Sequence, residues 1–95
     1  LPASMWARGL RADVDWALGR SDDAIVVMQD LLADNRGDLR IRLRLGLMLL
    51  DVHRNAEAAR TLRPAAWMAP DDEEVLVLVA SAEEALALER SRRSR

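Results

Sequence analysis

Apolar residues recur along this chain at helical spacing, interrupted at regular intervals by turn-forming residues. Trp6, Leu10, Val14 and Leu18 fall every four residues and form one stripe on a helix predicted over 5–18. Gly19 and Ser21 interrupt it, and Ser21 is placed to cap a second helix over 22–33. Asp22 and Asp23 suit the positive N-terminal end of that helix, and Ile25, Met28, Leu31 and Leu32 form its apolar face. Asn35-Arg36-Gly37 ends it with turn residues, and Asp38 is placed to cap the third.

The third segment, 39–52, carries two signals. Residues 40–45 alternate basic and apolar, as a half-buried strand does. The adjoining Leu47, Met48, Leu49 and Leu50 break the alternation, and the length of the whole run selects a helix buried on most sides. His53, Arg54 and Asn55 form the next turn, with Asn55 the expected cap of a fourth helix over 56–69. Pro64 lies inside that helix and should kink or shorten it, because proline removes one backbone hydrogen bond. Asp71 with Glu74 resembles a capping box opening a fifth helix over 72–89. Residues 1–4 are expected to be an N-terminal tail and 90–95 a frayed basic tail.

At 95 residues the chain fits one domain, 1–95, with a modest core. Only Trp6, Trp16 and Trp67 are aromatic, so Ala, Leu and Val must fill that core. Trp67 is expected to pack under the fifth helix, and at least one of Trp6 and Trp16 in the core. All fourteen basic residues are Arg, and the net charge of −2 argues against a general nucleic-acid binder. No apolar run reaches the roughly 18 residues of a membrane-spanning helix. No signal-peptide pattern opens the chain, and a cytoplasmic location is expected.

The second and fourth helices are related by a spacing of 34 residues: Ala24 with Ala58, Met28 with Leu62, Leu31 with Ala65, and Asp38 with Asp72. In this the chain resembles the tetratricopeptide-repeat family, whose unit is two antiparallel helices. The best-matched unit is 39–72: Leu45-Gly46 looks like the family's Leu-Gly pair, Ala58 and Ala65 like its small residues, and Pro70 like its closing proline. Leu49 stands for the usual Tyr and Leu62 for the large apolar residue, while Arg42 departs from an apolar position. Residues 5–38 resemble an atypical unit, matching in Gly19, Ala24, Ile25, Met28 and Leu31 but carrying Arg8 and Arg11 at apolar positions. Residues 73–89 look like the first helix of a further unit, through Leu76, Val79 and Ala80. The expected fold is therefore all-α, with two helix pairs of antiparallel helix-turn-helix repeats and a C-terminal helix.

The resemblance implies a non-enzymatic interaction module in which first helices line a concave groove for a partner segment. That groove would comprise Trp6, Leu10 and Asp13, then Arg40, Leu43, Arg44, Leu47 and Leu50, then Val77, Leu78 and Ser81. Arg40 and Arg44 would attract acidic groups of an apolar or amphipathic segment from another protein or a second copy. The alternatives are a chaperone of the bacterial type III secretion kind, and a fragment of a longer array or self-associating scaffold. The same residues would also suit a core packed against the chain's own termini. The Lys and Asn clamp by which some relatives hold chaperone C-termini is not expected, since Lys is absent and Asn35 and Asn55 lie in turns.

Chemistry is sparse. The chain has no Cys and one histidine, His53, in a turn, so neither a zinc site nor a catalytic base is expected. The acids at 71–74 lack the spacing of a calcium loop and read as helix-start residues. No Gly-rich phosphate loop occurs, and no cofactor is expected. Arg92 and Arg93 centre a basic tail that reads as solvated.

Overall fold

The alternating stretch 40–45 is helical. A computed structural model describes residues 3–94 and contains no strand among them. The order is α1 (Ala3–Ala17), α2 (Ser21–Asp34), α3 (Leu39–Asp51), α4 (Asn55–Leu62), α5 (Ala65–Met68) and α6 (Glu73–Arg93). Helices near in the chain pack together: α1 on α2, α2 on α3, α3 on α4 and α5, and α6 on α4 and α5. Connections of a few residues between contacting helices force antiparallel pairs. The result is an all-α, repeat-like stack whose end layers are α1 and α6. Ala3 and Ser4 are already helical, so the expected tail at 1–4 is at most Leu1 and Pro2, which lie outside the described residues. At the other end α6 continues through Arg93, where a frayed tail was expected; Arg95 lies outside the described residues.

The spacing of 34 residues is repeated in the backbone. Gly19 and His53 both sit at positive φ, 77° and 61°. At each turn the next residue, Arg20 or Arg54, donates back to a carbonyl five residues earlier, Asp15 at 2.7 Å or Leu49 at 2.9 Å. Gly19 donates to Trp16 and His53 to Leu50, which completes a Schellman turn in both places. His53 thus fills a position that favours glycine. Replacing it, His53→Gly, should raise stability by roughly 0.5–1 kcal/mol, and Gly19→Ala should lower it by about 1 kcal/mol. Opposite signs in urea titration are the expected result, and equal signs would contradict the turn assignment.

These turns also correct the capping residues. Arg20 and Arg54 occupy the N-cap positions of α2 and α4, with no side-chain cap, so Ser21 and Asn55 are the first helical residues. The backbone leaves the Schellman turn directly into the next helix, one residue earlier than side-chain chemistry suggested. Asp38 caps α3 as expected, its carboxylate accepting from the Ile41 N–H at 3.2 Å. For α6 the cap is Asp72 rather than Asp71, accepting from Val75 N–H at 3.2 Å, so the expected box with Glu74 is replaced by a single cap whose third helical residue, Val75, has no side-chain acceptor to reciprocate. Asp38→Ala and Asp72→Ala should each cost about 1 kcal/mol, whereas Ser21→Ala and Asn55→Ala should cost far less. Thermal melts of the four variants distinguish them.

Small residues set the spacing of the stack. Ala12, Ala24, Ala58, Ala65 and Ala82 are fully buried, around a core led by Ile25, Met28, Leu31, Leu49 and Leu62. A side chain on Gly46 would run into Leu62, so α3 and α4 approach most closely there. Pro64 separates α4 from α5. Next to this break, Arg42 donates to the Thr61 carbonyl at 2.9 Å and, across the α2–α3 connection, to the Arg36 carbonyl at 3.0 Å. A position expected to be apolar therefore holds a guanidinium that caps the end of α4. Burial, with the neighbouring Arg36, lowers its pKa from the ordinary arginine value. Arg54 is tied to Glu57 by two bonds of 2.9 and 2.7 Å, which hold the Glu57 carboxyl below its usual range.

Candidate functional site

The apolar stripe of α1 faces outward. Trp6 is 61% exposed and Leu10 47%, and Val14 and Leu18 are similarly open. Against α2 the helix instead uses Ala12 and the buried Asp15, with Met5 and Trp16 half-buried beside the core. The reason is steric: Ala12 lets α1 approach α2 closely, which its large apolar residues would prevent. Asp15 is held by Arg11 at 3.9 Å and Arg20 at 3.8 Å. Arg8 bonds Asp34 at 3.0 Å and ties α1 to the end of α2. Of the two arginines that depart from the apolar pattern, Arg8 therefore anchors the terminal helix to α2, while Arg11 pairs within α1 itself.

Between α1 and α3 lies a cleft of about 300 Å³. Five residues expected in the groove line it together: Trp6, Leu10, Asp13, Arg40 and Arg44. Its floor is Met28, Leu31 and Ile41, and its walls are mainly apolar. Arg44 pairs with Asp13 across the cleft, so it is not available to attract a partner's acid as expected. Arg40 is exposed and has no ion-pair partner among the described residues.

The remaining expected residues lie elsewhere. Leu43, Leu50 and Leu78 are half-buried against the core, and Leu47 is exposed on α3 away from the cleft walls. Val77 and Ser81 are exposed on α6, where the Ser81 hydroxyl donates to the Val77 carbonyl at 2.8 Å. Thus α1 and α3 share a cleft, and α6 presents a separate face.

Sequence reasoning did not place Met5, Gly9, Met28, Leu31, Asp38 or Ile41 in the cleft, having read Met28 and Leu31 only as core and Asp38 only as the cap of α3. The four-residue apolar period on α1 carried a signal for the outer face, but period alone does not say which neighbour a stripe meets. Trp67 was expected under the last helix and is instead 88% exposed. The break at Pro64 shortens α5 to one turn and turns Trp67 outward, over a shallow surface with Arg63, Val79 and Glu83. Trp16 is the tryptophan that packs against the core.

His53 is exposed, and no cluster of three metal-ligating side chains occurs among the described residues. No helix among them is long and apolar enough to cross a membrane. No protein-family profile, curated protein or solved structure matches the chain.

Proposed function

We propose that this chain is a non-enzymatic protein-interaction module whose α1–α3 cleft receives an amphipathic helix bearing acidic residues. Apolar side chains of the bound helix lie along Trp6 and Leu10, over the floor formed by Met28 and Ile41. Arg40 meets one of its acids at the rim. The observation that carries this reading is the coincidence of an open, mainly apolar cleft with an unpaired guanidinium at its edge. Gly9 on the cleft wall supports a close helix approach. The tetratricopeptide resemblance, which places a peptide groove along first helices, agrees with α1 and α3 lining one cleft.

The test uses a fluorescein-labelled synthetic helix with leucines at alternating three- and four-residue spacing, flanked by glutamates. Anisotropy should show saturable binding to the wild type. Leu10→Asp and Arg40→Glu should each weaken it by roughly tenfold or more. Both residues are exposed, so circular dichroism should be unchanged in each variant. Equal binding to Leu10→Asp and wild type would remove the cleft from the proposal. The open apolar faces at both ends of the stack favour a second reading, a self-associating scaffold.

A further inference from the structure

The two end layers of the stack differ in chemistry in a way that makes them complementary. On α6, Glu73, Val77, Glu84 and Leu88 succeed one another at spacings of four, seven and four, which places them on one stripe. The whole stripe is exposed, with Val77 at 64% and Leu88 at 51%. Neither Glu73 nor Glu84 is ion-paired among the described residues. The stripe therefore has the apolar-acidic pattern that suits the α1–α3 cleft. At the other end α1 offers an apolar stripe, with the unpaired Arg40 at the cleft rim.

We infer that the occupant of the cleft is α6 of a second copy, so that the chain associates head to tail. This rests on the cleft being a helix-docking site. Val77 and Leu88 of one copy cover the outer stripe of α1 in the next, and Glu73 or Glu84 pairs with Arg40. Two-fold pairings are poorer. An antiparallel pair of α6 helices centred on their middle, near Glu83, sets the Glu84 carboxylates of both copies close together. A pair of α1 helices offers Arg40 no unpaired acid from α1, since Asp13 and Asp15 already hold arginines. A head-to-tail contact is heterologous, so each added copy leaves one free head and one free tail. It also covers the apolar outer faces that end units of helical stacks ordinarily lack. Only a few large side chains are involved at each face, which places the contact at the weak end of specific interfaces.

The experiment uses full-length chains in analytical ultracentrifugation at roughly 10–500 µM, a range suited to a weak contact. The wild type should gain mass continuously with concentration. Leu10→Asp, which blocks the head, and Val77→Asp, which blocks the tail, should each be monomeric. Their equimolar mixture should form a 1:1 dimer and grow no further, since one variant keeps its tail and the other its head. Arg40→Glu should weaken wild-type association by roughly tenfold, with recovery when it is mixed with Glu73→Arg/Glu84→Arg. Unchanged circular dichroism checks that each variant is folded.

A wild type that stays monomeric throughout overturns the inference. So does a closed dimer that mixing the two blocked variants fails to restore. If the synthetic amphipathic helix still binds the cleft in either case, the interaction-module reading stands with a foreign partner. If it does not, both readings fail.

Discussion

Leu62→Ala should cost about 2–5 kcal/mol in urea-induced unfolding, because Leu62 is fully buried and its removal leaves a cavity at the α3–α4 crossing. The more informative result is what it does to Gly46. In the wild type, Gly46→Ala forces a methyl against the whole isobutyl group of Leu62, not against one movable tip. Overpacking of that kind costs about 1–3 kcal/mol, opposed by up to about 1 kcal/mol from alanine's better helix propensity. In the Leu62→Ala background the clash is gone and the propensity gain remains. Gly46→Ala should therefore be destabilising in the wild type and neutral or stabilising in the truncated one. The same effect in both backgrounds would show that the two residues do not meet.

Ala24→Leu and Ala58→Leu should each destabilise the protein by about 1–3 kcal/mol. Both alanines are completely buried, one on α2 and one on α4, at equivalent points of the 34-residue period. A leucine at either point pushes apart helices whose spacing an alanine sets. Ala56→Leu, on the exposed side of the same first turn of α4, should be close to neutral. Chemical denaturation of the three variants measures the contrast. Similar costs at Ala56 and Ala58 would mean that α4 is rotated from its assigned face. Losses at Ala24 and Ala58 with none at Ala56 would show that both halves of the stack use the same crossing.

The helical class and the positions of the breaks were legible in the residues themselves. Helical spacing of apolar side chains, Gly19, the Asn35–Gly37 turn, Asp38 as a cap and Pro64 as an interruption are local effects, governed by backbone conformations within a few residues. The run at 40–45 was decided by its continuation, since Leu47 to Leu50 lack a strand's polar alternation. The 34-residue period was equally local in origin. It reappears as two Schellman turns at Gly19 and His53 and two aspartate caps at Asp38 and Asp72. Five of the cleft residues were also legible, through a resemblance that assigned first helices to one groove.

Which face of each helix meets a neighbour was settled only by the tertiary structure. The stripe from Trp6 to Leu18 is as periodic as the face of α2, yet it lies outside while Ala12 and Asp15 lie inside. Hydrophobic periodicity reports that a side of a helix is apolar, and burial then depends on which other surface arrives there. Arg42 and Arg44 make the same point for charge. In sequence they are alternate members of one basic run. In the fold Arg42 is drawn in to the carbonyls of Thr61 and Arg36, Arg44 is spent on Asp13, and Arg40 alone stays unpaired. Those partners lie up to 31 residues away, the separation of Arg44 from Asp13, so no local pattern encodes them. Packing also separated α6 from the cleft, by seating it on α4 and α5 at the far end of the stack.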